Sequence, residues 1–408
     1  MLICERILFK MKKLLLLGGS KYLIPVIRTA HDLGIYVITC DYLPNNIAHQ
    51  YSDEYHNVSI VDKEAVLELA KNLKVDGIMS FATDPGVVVA AYVAEQLGLP
   101  GCPYESVKIL QNKGLFRQFL KEHDFNVPVA MSFSTFEEAV KHVDEFQWPV
   151  IIKPVDSAGS KGVTKVNDIP ELSEAVEYAK KYSLTDTFIV EEFIEKAGAS
   201  TDTDSFSVNG KLVFCSFNDQ WFDPTAANPY TPSAYLWPST MPMEIQQELR
   251  CELQRLIKLL DLNTTIYNIE TRLGTNGKPY IMEISPRAGG NRLSEVLKYA
   301  CGQDLITAAI KGALGMKVQE LTDPLYNGWW GECILHSNSE GKFKKIDVEE
   351  SLKNCIVELD LWVKENEQVY SFTGANEAIG TIIIRCETEK ELHAYIEHID
   401  EYVKVCVE

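Results

Sequence analysis

Two glutamates, Glu270 and Glu283, fall in neighbouring apolar segments, 265–273 and 279–284, joined through Thr275-Asn276-Gly277. Asn-Gly between two strand-like runs is a strong hairpin signal, so the spacing predicts an antiparallel pair that turns both carboxylates to one face. Such a pair suits a hard cation such as Mg²⁺, which takes oxygen ligands and shares them with phosphate oxygens. Two acids on a solvated sheet face would be the other reading. Lys153 ends the apolar run 150–153, so its ammonium must emerge where a counter-charge waits: a phosphate, or a structural salt bridge. Just beyond it, Ser157-Ala158-Gly159-Ser160-Lys161-Gly162 is a loop of small residues able to wrap backbone N–H groups around phosphate oxygens, although it also reads as an ordinary hairpin connection. Arg287, in Ser285-Pro286-Arg287-Ala288-Gly289-Gly290, lies past a strand end, where a guanidinium holds a phosphoryl or carboxylate group by two parallel bonds.

The elements that must position these groups begin with strand, turn, helix, strand: Leu14 to Leu17, Gly18-Gly19, a helix over 24–33, and a strand ending at Asp41. That is the βαβ unit of an open parallel sheet, whose crevice lies at the strand C-termini. A helix over 63–73, a strand over 77–81 ending in Thr83-Asp84 and a helix over 87–97 extend it. The GxGxxG spacing is absent, so Gly18-Gly19 reads as a tight turn and not as a dinucleotide fingerprint. A second segment opens with a helix over 111–123 and continues through a helix at 136–144, the strand with Lys153, a helix at 172–182 and a strand at 188–191. Strands around 205–217 lead into a stretch, 218–242, dense in Pro and aromatic residues. It is expected to be irregular and to act as a cover, since Trp221, Phe222, Tyr230, Tyr235 and Trp237 would be costly to leave in water. A helix over 243–260 precedes the hairpin. From about Gly328, short strands and a terminal helix carry no constellation to which chemistry can be assigned.

The order of these motifs resembles the ATP-grasp superfamily of carboxylate ligases, especially the branch of the purine-biosynthesis carboxylases and formyltransferases, biotin carboxylase and amino-acid ligases. The resemblance rests on Asn112-Lys113 with Phe116-Arg117, Ile151-Ile152-Lys153-Pro154, the loop from Asp156 to Val163, Val190-Glu191-Glu192-Phe193-Ile194, and Met282-Glu283-Ile284-Ser285-Pro286-Arg287. It implies an α/β fold: an N-terminal parallel-sheet domain (1–105), a two-lobed ATP-grasp domain (106–325, with a small lobe at about 125–195) and a C-terminal α+β subdomain (326–408). It implies ATP and Mg²⁺ as cofactors, with Mn²⁺ able to replace magnesium. Lys113 and Lys153 would reach the α- and β-phosphates, and Ser157, Gly159, Ser160 and Gly162 would belong to a mobile loop over the triphosphate. The backbone of Glu191, Glu192, Phe193 and Ile194 would meet the adenine edge, with Ile151 and Met282 also at the nucleotide. Glu270, Glu283 and Ser285 would hold the metal, and Arg287 with Lys153 would act on the transferring phosphoryl group. Relatives usually carry Asn where this chain has Ser285, a shorter and poorer metal ligand. Relatives also often carry an acid beside the ribose; here Asp202 or Asp204 would have to serve, and either could equally be a strand-edge residue.

The implied reaction is ATP-dependent activation of a carboxylate as an acyl phosphate and its capture by an amine, releasing ADP and phosphate. Activation of bicarbonate, as in the carboxylase relatives, is the alternative among enzymes; a nucleotide-binding protein without catalysis is the rival from another class. The whole chain agrees with small-molecule partners. At 408 residues it suits two or three packed domains. Its formal charge of -19, from 58 acidic against 39 basic residues, argues against a broad nucleic-acid or anionic-membrane surface. Ten cysteines without a CxxC or a Cys/His ligand spacing point to a reducing compartment, and a cytoplasmic location is expected. Lys12-Lys13 before Leu14 to Leu17 imitates a signal peptide, but the apolar run stops at Gly18. Met11 is the expected natural start, and a homodimer the expected assembly.

Overall fold

The structure, a computed structural model, describes residues 11–408. The expectation about the segment before Met11 lies outside them. The N-terminal sheet holds β1 (Lys13–Leu17), β2 (Tyr36–Cys40), β3 (Glu54–His56) and β4 (Gly77–Ser80), all parallel in the order β3-β2-β1-β4. Leu14 to Leu17 are wholly buried, as a strand covered by helices on both faces requires. The turn after β4 places Asp84 against Ser285 and Arg287.

Two helices follow where the sequence predicts one. Tyr104–Gln111 stops at Asn112, whose side chain accepts from Leu115 N and caps the next helix, Lys113–Glu122. The cap satisfies one of the free N–H groups of the new helix and puts Lys113 at its first turn. Strands β5 (Ala130–Phe133), β6 (Val150–Pro154), β7 (Thr164–Val166) and β8 (Phe188–Glu192) form an antiparallel sheet, β5-β8-β6-β7. Its alternation buries Val150 and Ile152 against the helix Leu172–Tyr182 and leaves Ile151, Lys153 and Glu191 on the opposite face.

Next come β9 (Thr201–Val208), β10 (Lys211–Cys215), β11 (Asp219–Phe222), β12 (Pro232–Trp237), β13 (Thr265–Leu273) and β14 (Pro279–Ser285). The sheet β10-β9-β13-β14 is covered by the helix Met243–Leu259, which buries Leu249, Leu253, Leu256 and Ile257 at helical spacing. The stretch 218–242 is not the irregular cover expected from the sequence. It supplies β11 and β12, which pair with β15 (Trp329–Leu335), β19 (Gly380–Cys386) and β17 (Ile356–Leu361) of the C-terminal region in the order β11-β12-β15-β19-β17. This sheet crosses the boundary expected near 325. Proline and a register shift near Phe222 and Pro232 hid the period-two pattern. Pairing buries Trp237, 0% exposed, and Tyr235, 2% exposed, whereas Trp221 and Phe222 are half-buried and Tyr230 is 42% exposed. The connection between β11 and β12 meets the small-residue loop, where Tyr230 O accepts from Ser160 Oγ at 3.2 Å. Strands β16 (Gly341–Val348), β18 (Gln368–Val369) and β20 (Val403–Val407) complete the C-terminal part. Among the described residues, no helix is long and apolar enough to cross a membrane.

Candidate active site

The hairpin predicted around Asn276-Gly277 forms, with Gly277 at φ 76° and its N–H bonded to Gly274 O. Its register sets Glu270 directly opposite Glu283, and β9 adds Asp202 opposite Glu270. One row of the sheet therefore reads Asp202, Glu270, Glu283. The next row on the same face reads Asp204, Asn268, Ser285. Opposed side chains in such pairs have Cβ atoms about 5 Å apart. Burial raises the Glu270 carboxyl above its ordinary range and the charge of Glu283 adds to this, against Arg272 at 3.6 Å. Lys113 Nζ lies 3.7 Å from Glu283. Two half-screened carboxylates held this close repel each other unless a cation joins them, so Glu270 and Glu283 fit a divalent metal.

Across the cleft, Lys153 Nζ meets Glu191 Oε1 at 2.6 Å, and Arg117 Nε meets Glu191 Oε2 at 2.9 Å. Burial alone would raise the Glu191 carboxyl, but Arg117 and Lys153 outweigh it and bring it to about 2. Burial lowers Lys153, and Arg117 and Lys113 push the same way against Glu191. Glu191 thus faces two cations, Lys153 and Arg117, while Lys113 reaches over to Glu283. Lys113 also donates to Ser157 O at 2.7 Å, tying the first turn of its helix to the small-residue loop. In that loop Gly159, Ser160 and Gly162 all have positive φ, near 70°, 57° and 72°, the left-handed region that a glycine adopts freely.

Several expected residues sit differently from their sequence reading. Glu191 is the shared counter-charge of Lys153 and Arg117, a role carried by its side chain. Beyond it, Glu192 N donates to Val129 O, Phe193 N to Pro149 O, and Ile194 O accepts from Arg272. These backbone groups, expected at an adenine edge, are used within the chain. Ile151 pairs with Glu191 in register, and Met282 O accepts from Arg117 at 2.9 Å, so both border the cation cluster. Ser285 is 1% exposed, and its hydroxyl accepts from Gln111 at 2.8 Å and donates to Asp84 at 3.1 Å. The hydroxyl is thus held by Gln111 and Asp84, on the same sheet face as Glu270 and Glu283. Asp204 is wholly buried, accepting from Gly289 N and Ser294 Oγ, which makes it structural and removes it as a ribose ligand.

Arg287 is gripped by Asp84, Nε to Oδ1 at 2.8 Å and Nη2 to Oδ2 at 2.7 Å. Nη1 serves Asn268 Oδ1 and Ala288 O. Of the five N–H donors of a guanidinium, one on Nη2 is left. Asp84, Gln111 and Asn268 were missed as site residues. The one available signal was the position of Asp84 just past the C-terminal end of a parallel strand, where such sheets bind their ligands.

Two segments of the chain match known domain families. The ATP-grasp domain matches residues 146–295, and the ATP-grasp N-terminal domain matches residues 27–101. The carbamoyl phosphate synthase large chain of Thermotoga neapolitana is 25% identical over 260 residues, covering 63% of this chain and 23% of that protein. Carnosine synthase 1 of Homo sapiens is 26% identical over 360 residues, covering 79% of this chain and 42% of its own. The chain thus spans less than half the length of these curated relatives. The crystal structure of an L-amino acid ligase from Bacillus licheniformis shares the fold, with a TM-score of 0.79 at 21% identity over 97% of this chain and 99% of that one. With both segments in order on the matching fold, the chain carries an ATP-grasp domain preceded by an ATP-grasp N-terminal domain.

Proposed function

We propose that the protein is an ADP-forming carboxylate–amine ligase that passes through an acyl phosphate. The observation that carries this reading is the meeting of a cationic and an acidic group of side chains: Lys153 and Arg117 share the single Glu191, and Lys113 reaches the Glu270–Glu283 pair at 3.7 Å from Glu283. The first group suits a polyphosphate and the second the cation that accompanies it.

Lys113 and Lys153 bind the phosphate oxygens, and Arg117 holds Glu191 so that Lys153 stays aimed into the cleft. The loop with Ser157, Gly159, Ser160 and Gly162 closes over the triphosphate and keeps water from the acyl phosphate. Glu270 and Glu283 would hold Mg²⁺, or Mn²⁺ in its place, which supplies charge neutralisation at the phosphate oxygens. Phosphoryl transfer passes through a loose transition state and asks chiefly for position and charge. Arg287, fixed by Asp84, offers its last donor to the substrate carboxylate or the phosphoryl group. Ile151, Met282 and the segment 191–194 flank the base. Cytoplasmic location, a homodimer and small-molecule substrates belong to this same proposal.

The deciding test is ADP release measured over a panel of amino acids, small carboxylates and bicarbonate, each with and without an amine. The reading requires release that depends on both a carboxylate and an amine. Release with bicarbonate alone would make the protein a carboxylase; Mg-ATP binding with no release under any condition would make it a binding protein.

A further inference from the structure

The carboxylate row has a third member that the ligase reading leaves unused. Asp202 lies opposite Glu270 on β9, one strand further from Glu283. No Lys, Arg or His ion pair reaches it among the described residues. Its oxygens receive only neutral donors: Asn268 Nδ2 at 2.7 Å, Tyr235 OH at 3.3 Å and Gln220 Nε2 at 3.5 Å. The nearest guanidinium, Arg287, is committed to Asp84.

A second observation comes from another sheet. Glu332 on β15 is directly opposite Tyr235 on β12, so both side chains leave the same face. Glu332 is 0% exposed, and neither of its carboxylate oxygens has a hydrogen-bond partner. The nearby Arg292 is already held by Glu295 and Glu358. A buried carboxylate without a partner is costly; Glu332 has none and Asp202 has only neutral donors, so this corner can accept a cationic donor. Tyr235 joins them to the N-terminal part of the chain, since Asn291 donates to its oxygen at 3.5 Å and accepts from Tyr22 OH at 3.0 Å.

Resting on the ligase reading, we infer that Asp202 and Tyr235, with Glu332 behind them, form the subsite for the amine of the second substrate, which arrives as an ammonium and gives one proton to Asp202, so that its freed lone pair attacks the acyl carbon as phosphate leaves. An ammonium suits this corner better than a second divalent ion. It offers three donors and no demand for six oxygens, whereas the Asn268 and Gln220 side chains present N–H groups to Asp202. Position also favours it. Asn268 accepts from Arg287 through Oδ1 and donates to Asp202 through Nδ2, so one amide fixes the spacing between the group that meets the activated carboxylate and the group that meets the amine.

The test uses the full chain with Mg²⁺ and a non-hydrolysable ATP analogue, titrated calorimetrically with methylammonium chloride, glycinamide and L-amino acids against a sodium chloride control. Wild type is expected to bind one or more of these amines saturably. Asp202→Asn is expected to weaken that binding about ten- to a hundredfold, the worth of a hydrogen bond to a charged group, with Tyr235→Phe weakening it less. Retention of the thermal shift by Mg-ATP shows that each variant is folded. A parallel arm supplies hydroxylamine, which is uncharged at neutral pH and traps acyl phosphates as hydroxamates. Asp202→Asn should keep hydroxamate formation while losing amide formation. Equal amine affinity in wild type and Asp202→Asn overturns the inference, as does an Asp202-dependent site that takes Mg²⁺ and no amine. If wild type makes no hydroxamate from any carboxylate yet binds amines through Asp202, the ligase reading falls and the subsite stands.

Discussion

Arg287 and Asp84 join two parts of the chain 203 residues apart through a bidentate fork, with 2.8 and 2.7 Å bonds at the ends of β14 and β4. Burial would raise the Asp84 carboxyl, but Arg287 outweighs it and holds it below the usual range. The arginine that the sequence assigns to the substrate is therefore anchored first to the N-terminal sheet, and any anion that binds it competes with, or adds to, Asp84. Asp84→Asn removes one charge of a buried pair, a change that costs about 3–5 kcal/mol when the partner is left uncompensated. The expected result is a clear fall in melting temperature, partly restored by a carboxylate substrate or phosphate that replaces the lost charge. A variant melting like wild type would show that Arg287 finds another partner when Asp84 is neutral.

Glu283→Gln should reduce ADP release by orders of magnitude while the nucleotide-free protein melts at or slightly above the wild-type temperature. The two glutamates repel in the absence of a cation, so removing one charge relieves the apo protein and weakens the metal site at once. Magnesium-dependent ATP binding, followed by calorimetry with and without Mg²⁺, checks this. Full turnover in the variant would sink the metal assignment of the pair.

Lys153 and Glu191 show both what the sequence tells and what it withholds. The apolar run ending in Lys153 made a counter-charge necessary, and the hairpin and strand order around Glu270 and Glu283 followed from Asn-Gly and alternation. Those are local signals. The identity of the counter-charge was not local: Glu191 lies 38 residues away and reads as a strand end next to Glu192. Asp84 is further still from Arg287, and no periodicity connects them. The stretch 218–242 misled for a different reason, because β11 and β12 earn their order from pairing with β15, a partner nearly a hundred residues later. Tertiary pairing of this kind overrides local composition.

The Glu191 cluster sets an acid limit to stability. Its carboxyl lies at about 2 in the folded chain against an ordinary 4.5, so the unfolded state binds the proton more readily between these values. The stabilisation is complete above pH 4.5 and is lost as the pH falls toward 2, a change of ~3 kcal/mol. Chemical denaturation at pH 6, 4 and 3 should show this slope in wild type. Glu191→Gln should be less stable at pH 6 and flatter over the same range. Parallel curves for the two proteins would mean that other carboxylates dominate.

Lys153→Met should lower nucleotide affinity about ten- to a hundredfold, since a charged phosphate contact is lost. Glu191 keeps Arg117, so the apo protein should lose less stability than Arg117→Met, which removes the contacts to both Glu191 and Met282 O. Melting temperatures of the two variants, with and without Mg-ATP, separate the roles. If Lys153→Met destabilises the apo chain as much as Arg117→Met and leaves affinity intact, Lys153 is a structural salt-bridge residue.

Ser285→Asn restores the residue that relatives usually carry, and its outcome distinguishes a metal ligand from a positioning residue. The Ser285 hydroxyl sits 1% exposed between Gln111 and Asp84, and Asn268 already occupies the directly opposed position on β13. A longer amide at 285 must displace Gln111 or the Asp84–Arg287 fork, and overpacking of this sort costs about 1–3 kcal/mol. The expected result is a lower melting temperature and lower ADP release at saturating Mg²⁺, with no tightening of magnesium dependence. Ser285→Ala, which leaves space but removes both hydrogen bonds, should lose less stability than Ser285→Asn and keep the same magnesium requirement as wild type. If Ser285→Asn instead raises turnover and shifts the magnesium requirement to lower concentration with unchanged stability, the side chain at 285 turns toward the metal, and its present partners at Asp84 and Gln111 are dispensable.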